Sequence, residues 1–378
     1  MKALRISLKT GTATGILLIV CMVFSIIIAN TSWGEAYLFL WHKDFFGHPL
    51  AHWINDGLMA VFFLLVGLEL KRELLIGHLS SFSKAILPAA AALGGMVAPA
   101  AIYWAFNSNL PTLSGFGIVM STDIAFVVGV MALLSNRIPQ ALKVFMLALA
   151  VVDDLGAIIV IALFYSSDLQ VGYLLMALGV LGLLLVSNKM WKIDATWLYI
   201  LGGITLWLLV MQSGIHASLA GIMLAMAVPF RHGFHTAPAH RWEHKLHRPV
   251  YLLILPLFVL SNTAIVFSRS AFDLLLAPHS IGIVAGLLIG KPLGIYIATR
   301  MVIRLRWAEL PSGLYWHHIA GGGFLGGIGF TMAIFVTLLS FNNQAIIDSA
   351  KLAIIVASFL SATIGILILT TKSPKHRS

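Results

Sequence analysis

Asp153 and Asp154 stand side by side in Val151-Val152-Asp153-Asp154-Leu155-Gly156-Ala157-Ile158, in the middle of an apolar run from Ala141 to Phe164. A single charge at membrane depth costs ~2.5–3.5 kcal/mol on insertion scales, and two adjacent acids repel each other as well. Carboxylates in such a place point to a cation or proton site. A third acid, Asp123, lies in Ser121-Thr122-Asp123-Ile124-Ala125-Phe126, and a base, Lys291, in Gly290-Lys291-Pro292-Leu293-Gly294-Ile295. Each falls at the centre of its own apolar run. Buried charges need partners, so Lys291 is expected to face an aspartate. Neighbouring residues on a helix point about 100° apart, so Asp153 and Asp154 cannot both face it. One can pair with Lys291 while the other faces a water-filled cavity. The plainer role, four groups that only tie helices together, fits less well, because three acids exceed one base.

The chemistry follows from the residue types. Sodium prefers hard oxygen ligands, which carboxylates and the Thr122 hydroxyl supply. Burial and mutual repulsion favour the protonated acids, so sodium and protons compete for one site. The pair titrates as a coupled unit. At low pH the protonated site binds no sodium, which predicts an exchanger silent in acid and active in alkali. If both aspartates release protons when sodium binds, the exchange is electrogenic.

The elements that position these groups are membrane spans. Of 378 residues, 60% are hydrophobic and 10% charged, with a mean hydropathy of +0.96. Soluble domains carry roughly 25% charged residues, so the composition is that of a polytopic membrane protein. The net charge of +10 does not signal nucleic acid, because Lys and Arg lie in short segments between apolar runs. Cys21 is the single cysteine, which excludes an intramolecular disulfide. Lys2, Arg5 and Lys9 before residues 12–30 resemble a signal peptide. No small-x-small cleavage site comes after them, and we read a retained first helix.

Twelve spans are expected, near 12–30, 53–72, 86–106, 113–134, 141–164, 171–187, 196–211, 214–229, 250–267, 281–302, 318–340 and 350–371. With the N-terminus inside, twenty basic residues fall on the inner side and three (Lys43, Arg269, Lys351) on the outer. Both termini are therefore expected in the cytoplasm, with residues 1–378 forming one transmembrane domain.

Helix punctuation points to the same depth as the charges. The fourth span carries Ser121-Thr122-Asp123 at mid-membrane, and the eleventh carries Gly321-Gly322-Gly323-Phe324-Leu325-Gly326-Gly327-Ile328-Gly329-Phe330-Thr331. Six glycines cost ~5 kcal/mol of helix propensity relative to alanine, which argues for a broken helix. Close packing through small residues is the alternative. The two spans run in opposite directions, each the middle of a group of three. That is the pattern of inverted repeats whose broken helices cross at the midplane.

Three further features lie at the surfaces. Gly67-Leu68-Glu69-Leu70-Lys71-Arg72-Glu73 closes the second span on the inner side. Its charges read either as ordinary helix pairs or, with Glu243, as a charged funnel mouth. His216 opens the eighth span as a local hydrogen-bonding group or a proton carrier. The outer loop 31–52, rich in aromatics and histidines, is an interfacial belt or a contact for a second copy. The inner loop 231–248 has five histidines without metal-ligand spacing and reads as a solvated basic loop.

Taken together, the Ser121–Phe126, Val151–Ile158, Gly290–Gly294, Gly67–Glu73 and Ser213–Leu219 motifs resemble the NhaA-type bacterial sodium/proton antiporters over essentially the whole chain. Those transporters are themselves a type example of the inverted-repeat architecture. The resemblance implies an all-α polytopic membrane protein of the bacterial inner membrane. Its twelve helices would form inverted repeats, with discontinuous fourth and eleventh helices crossing at the midplane. It implies a homodimer joined partly through loop 31–52, with no cofactor and no enzymatic activity. Sodium or lithium would exchange against protons, serving sodium and pH homeostasis. Asp153 and Asp154 would carry the cation and the protons, Lys291 would partner Asp153, and Thr122 with Asp123 would balance the broken-helix termini. Glu69, Arg72, Glu73 and Glu243 would form a cytoplasmic pH-response region, with His216 a modulator. One position departs from the pattern: His240 stands where the family is expected to carry lysine, which bears on the pH midpoint.

Two other classes fit less well. A sodium-coupled symporter of a small organic anion needs an anion cradle, and Lys291 is the sole base among three acids. An intramembrane aspartyl protease needs a Gly-x-Gly-Asp setting, which is absent, and adjacent acids on one helix cannot flank a peptide.

Overall fold

The computed structural model describes residues 2–77, 79–134, 137–166, 169–230, 237–267 and 272–371. Arg231, His232, His235, Arg269, Lys372, Lys375 and Arg377, which entered the charge and histidine patterns above, lie outside these residues.

In hydrocarbon every backbone N–H and C=O must be satisfied within the segment, so apolar runs of this length become helices. In chain order the helices are α1 (Lys2–Ala29), α2 (Gly34–His42), α3 (Leu50–Leu75, with a π turn at Trp53–Leu58) and α4 (Phe82–Asn107). A 3₁₀ segment (Pro111–Val119) precedes α5 (Ile124–Leu133), followed by α6 (Gln140–Phe164), α7 (Val171–Lys189), α8 (Thr196–Gln212) and α9 (Leu219–Ala227). Then come α10 (Pro238–Pro249), α11 (Leu255–Asn262), α12 (Pro278–Arg304), α13 (Trp316–Gly326), α14 (Phe330–Ser340) and α15 (Gln344–Thr371). Among the described residues, eight helices are long and apolar enough to cross a membrane, or nine if the bent pair α13–α14 is one span.

The chain divides into two compact units, each assembled from separate segments. One comprises Met1–Asn30, His78–Ala157 and Thr263–Ser378; the other comprises Thr31–Gly77 and Ile158–Asn262. In the first unit α4 and α12 pack at backbone distance. A Cβ on Gly294 would lie within 2.8 Å of the Ala98 methyl and overlap the Gly94 carbonyl, so glycine is needed there. In the second unit α3 and α9 do the same, since a Cβ on Gly221 would come within 2.7 Å of the Leu64 amide nitrogen.

Several expectations change. The expected eighth span is a short helix, α9, of 9 residues, while α8 has 17; the expected ninth is helical as far as Asn262, with α10 running into α11 through a π turn at Val250–Ile254. A lone helix needs about 20 residues to cross. Gly214 and Pro229 lie on either side of α9, and residues 263–267 are not helical, so the ninth run ends five residues early. Segment 31–52 is not an irregular loop. It holds α2 and a two-residue hairpin in which β1 (Asp44–Phe45) pairs with β2 (His48–Pro49), turned by Phe46 and Gly47 at positive φ. Among the described residues the fold is thus helical with one small sheet. Pro238 at the first helical position and regular spacing turn 238–249 into a helix rather than a loop. The last span starts at Gln344, six residues early, which draws Asp348 inside it, and Lys351, counted on the outer side, is buried. Finally, Gly321–Gly323 stay helical because they pack tightly against Leu369, Met146 and Pro292. The interruption falls at Gly327–Gly329, where α13 and α14 bend by 44°.

Candidate functional site

The site lies in the first unit, where two interrupted stretches touch. The fourth run is 3₁₀ through Val119, non-helical at 121–123 and α-helical from Ile124. The other interruption separates α13 from α14. The Asp123 N–H donates to the Ile328 carbonyl at 2.7 Å, and the Thr122 hydroxyl donates to the Gly326 carbonyl at 2.9 Å. Each broken helix therefore supplies partners for the other's orphaned backbone groups.

Asp123 caps two helix N-termini at once. Its Oδ1 accepts from the Phe126 N–H at 3.1 Å, at the start of α5. Its Oδ2 accepts from the Thr331 N–H at 3.0 Å and from the Thr331 hydroxyl, at the start of α14. Helix N-termini carry partial positive charge, and a carboxylate there is stabilising. The opposite ends receive donors. Thr122 serves the C-terminus of α13, and the Lys291 ammonium donates to the Met120 carbonyl beyond the 3₁₀ segment. Four half-helix ends are thus met by one carboxylate, one hydroxyl and one ammonium.

Lys291 also pairs with Asp153, Nζ to Oδ2 at 2.6 Å, with both side chains fully buried. The open question of which aspartate faces the lysine is decided by α6: its register turns Asp153 to Lys291. Asp154, one residue on and also buried, remains within electrostatic reach of the same ammonium. Close packing brings Lys291 here, since Gly95 on α4 faces its Cε and Ile295. Gly156 on α6 has its α-carbon against the sulfur of Met96, where a Cβ would collide. Asp123, Thr122, Asp153, Asp154 and Lys291 therefore belong to one unit. Sequence reasoning missed Thr331 and the Met120 and Gly326 carbonyls. Thr331 carried a signal, as the first hydroxyl after the glycine run.

The second unit holds the surface charges. Arg72 Nε lies 2.8 Å from Glu243 Oε1, and Arg72 Nη1 lies 3.2 Å from Glu73 Oε1. Glu69, one turn earlier on α3, is within electrostatic reach of all three. Burial pushes the Glu243 carboxyl above its ordinary pKa, and the neighbouring Arg72 offsets only part of that rise. His216 is in the turn before α9, hydrogen-bonded to the Tyr165 backbone and near Asp56. Asp56 itself contacts His52 Nδ1 at 3.2 Å, a pair the sequence did not single out. Among the described residues no cluster of three or more His, Cys, Asp or Glu side chains could hold a metal ion.

Residues 5–369 match the model of a family described as Na+/H+ antiporter 1. A Na(+)/H(+) antiporter NhaA of Dechloromonas aromatica is 51% identical over 94% of this chain and 92% of its own length. Proteins of the same name from Flavobacterium psychrophilum and Shewanella amazonensis are 47% and 45% identical. They cover 94% and 99% of this chain, and 93% and 98% of their own lengths. With its interrupted helices, buried ion pair and full-length match, the chain belongs to the Na+/H+ antiporter 1 family.

Proposed function

We infer that the protein exchanges sodium (or lithium) from the cytoplasm for external protons, with Asp153 and Asp154 as the carriers. The observation that carries this reading is the fully buried Lys291–Asp153 pair beside Asp154, at the contact of two helix interruptions. Sodium is cargo held by oxygen ligands from the two carboxylates. Both acids first give up their protons, which leaves Asp153 as a carboxylate held by the Lys291 ammonium; sodium then enters and replaces that ammonium as its partner. When protons return, Asp153 and Asp154 become neutral and sodium leaves. More than one proton per sodium makes the cycle electrogenic, and competition between the two cargoes makes it fall silent in acid.

Thr122 and Asp123 hold the helix ends in register rather than carry ions. Glu69, Arg72, Glu73 and Glu243 tune the pH response, with His216 contributing from the outer side. The chain works as a single transmembrane domain in the bacterial inner membrane, with twelve segments in inverted repeats whose fourth and eleventh members cross at the midplane. A homodimer forms through segment 31–52, a reading supported by the exposure of Trp33, Phe39 and Phe46 there. The anion symporter is disfavoured because the Lys291 ammonium is already taken by Asp153 and the Met120 carbonyl.

The test is proton movement evoked by sodium in proteoliposomes without any organic solute. Sodium pulses should release or take up protons above neutral pH and not in acid. Transport that requires an organic anion would sink the reading.

A further inference from the structure

The cytoplasmic end of α9 is held by groups outside its own helix. A helix leaves its last four carbonyls without intrahelical partners, and that end carries partial negative charge. Here the Lys71 ammonium donates to the carbonyls of Ala225 at 3.2 Å, Met226 at 2.7 Å and Val228 at 2.7 Å. Asn188 Nδ2 donates to the Ala227 carbonyl at 2.9 Å. Three ammonium hydrogens meet three carbonyls, and one amide closes the fourth.

The cap also reaches the next helix in the chain. The Ala239 N–H, in the first turn of α10, donates back to the Pro229 carbonyl at 3.2 Å, so α10 is hooked to the same junction. Glu243 sits one turn further along α10 and pairs with Arg72, the residue next to Lys71. Successive residues of α3 thus hold the end of α9 and a side chain of α10. The approach is rigid on the α3 side, because a Cβ on Gly67 would lie 2.7 Å from the Ala225 methyl.

We propose that Lys71 is a positioning residue: by capping α9 it fixes α10, and so sets the contact of Glu243 with Arg72 in the charge cluster. The charged and titratable groups around the junction are Glu69, Arg72 and Glu73 on α3, Lys189 at the end of α7, and Glu243 and His244 on α10. Neutralising Lys71 releases the α9 carbonyls it holds and lets α10 move away from Arg72. The consequence for transport rests on the reading that this cluster tunes the pH response.

The test uses the full-length protein with Cys21→Ser and spin labels at Leu75→Cys on α3 and Lys245→Cys on α10, both solvent-accessible positions. In unlabelled protein, sodium-evoked proton flux is measured across pH 6.5 to 9. Lys71→Met should broaden the distance distribution and move the half-maximal pH by about 0.5 unit, with maximal flux kept. Lys71→Arg, which keeps the charge and several donors, should recover most of both. Lys71→Met should shift the profile no further in a Glu243→Gln background. An unchanged distance distribution in Lys71→Met overturns the proposal, as does a pH shift that adds in full to that of Glu243→Gln. A broadened distribution with an unaltered profile in Glu243→Gln keeps the positioning role and overturns the pH-tuning reading instead.

Discussion

Removing Lys291 tests the centre of the site most directly. In Lys291→Ala, Asp153 loses a partner 2.6 Å away in a fully buried setting, and the Met120 carbonyl loses a donor. Breaking a buried pair from one side costs ~3–5 kcal/mol, because the remaining charge is uncompensated. The carboxyl can escape by taking a proton. For an acid with an ordinary pKa of about 3.9 this costs about 4 kcal/mol at pH 7, and about 1.4 kcal/mol less for each unit of acidification. The unmet carbonyl adds about 1–3 kcal/mol that does not depend on pH. The variant should therefore melt roughly 5–15 °C lower at pH 7.5, with the gap to wild type narrowing clearly at pH 5.5. Adding Asp153→Asn removes the buried charge and should recover the pH-dependent part alone. Intrinsic fluorescence or thiol-reactive-dye melting of detergent-purified protein, in a four-way cycle, reads this out. Equal losses at both pH values, or additive losses in the double variant, would refute the pairing.

The same geometry makes other outcomes testable. Asp154→Asn should abolish sodium-dependent proton flux with expression and melting temperature near wild type, and wild-type flux would remove Asp154 from the carriers. Thr331→Val deletes a hydroxyl donor to Asp123 and leaves the backbone donor; a loss of about 1–2 kcal/mol in stability is expected by thermal melting. Glu69→Gln and Glu243→Gln should move the activity-against-pH curve while preserving maximal flux; inactivity at every pH in folded protein would place these acids in the ion path. Because the folded protein holds Glu243 above its ordinary pKa, the folded state binds this proton more tightly than the unfolded one. Stability should then fall as pH rises from about 4.5 toward the raised value, and Glu243→Gln should flatten that slope in melting curves.

Charges in apolar runs announced this protein because hydrocarbon makes them expensive wherever they lie, whatever the packing around them. Asp123, Asp153, Asp154 and Lys291 were legible for that reason, as was a membrane fold from composition and a helix break near the glycine run. The positions of helix ends were less legible. Hydropathy does not register Asp348 entering α15 or the burial of Lys351, which depends on neighbouring helices, and it joined residues 263–267 to a helix that stops at Asn262. Nor could a count of glycines tell those that pack, Gly321–Gly323, from those at the interruption, Gly327–Gly329; what lies opposite each one decides. The choice of Asp153 over Asp154 as partner of Lys291 turned on the rotation of α6 against α12. The double cap by Asp123 and the Lys71 cap join residues up to 208 positions apart. Such contacts satisfy backbone groups that every residue carries, so no side-chain pattern records them, and only the tertiary structure could bring them together.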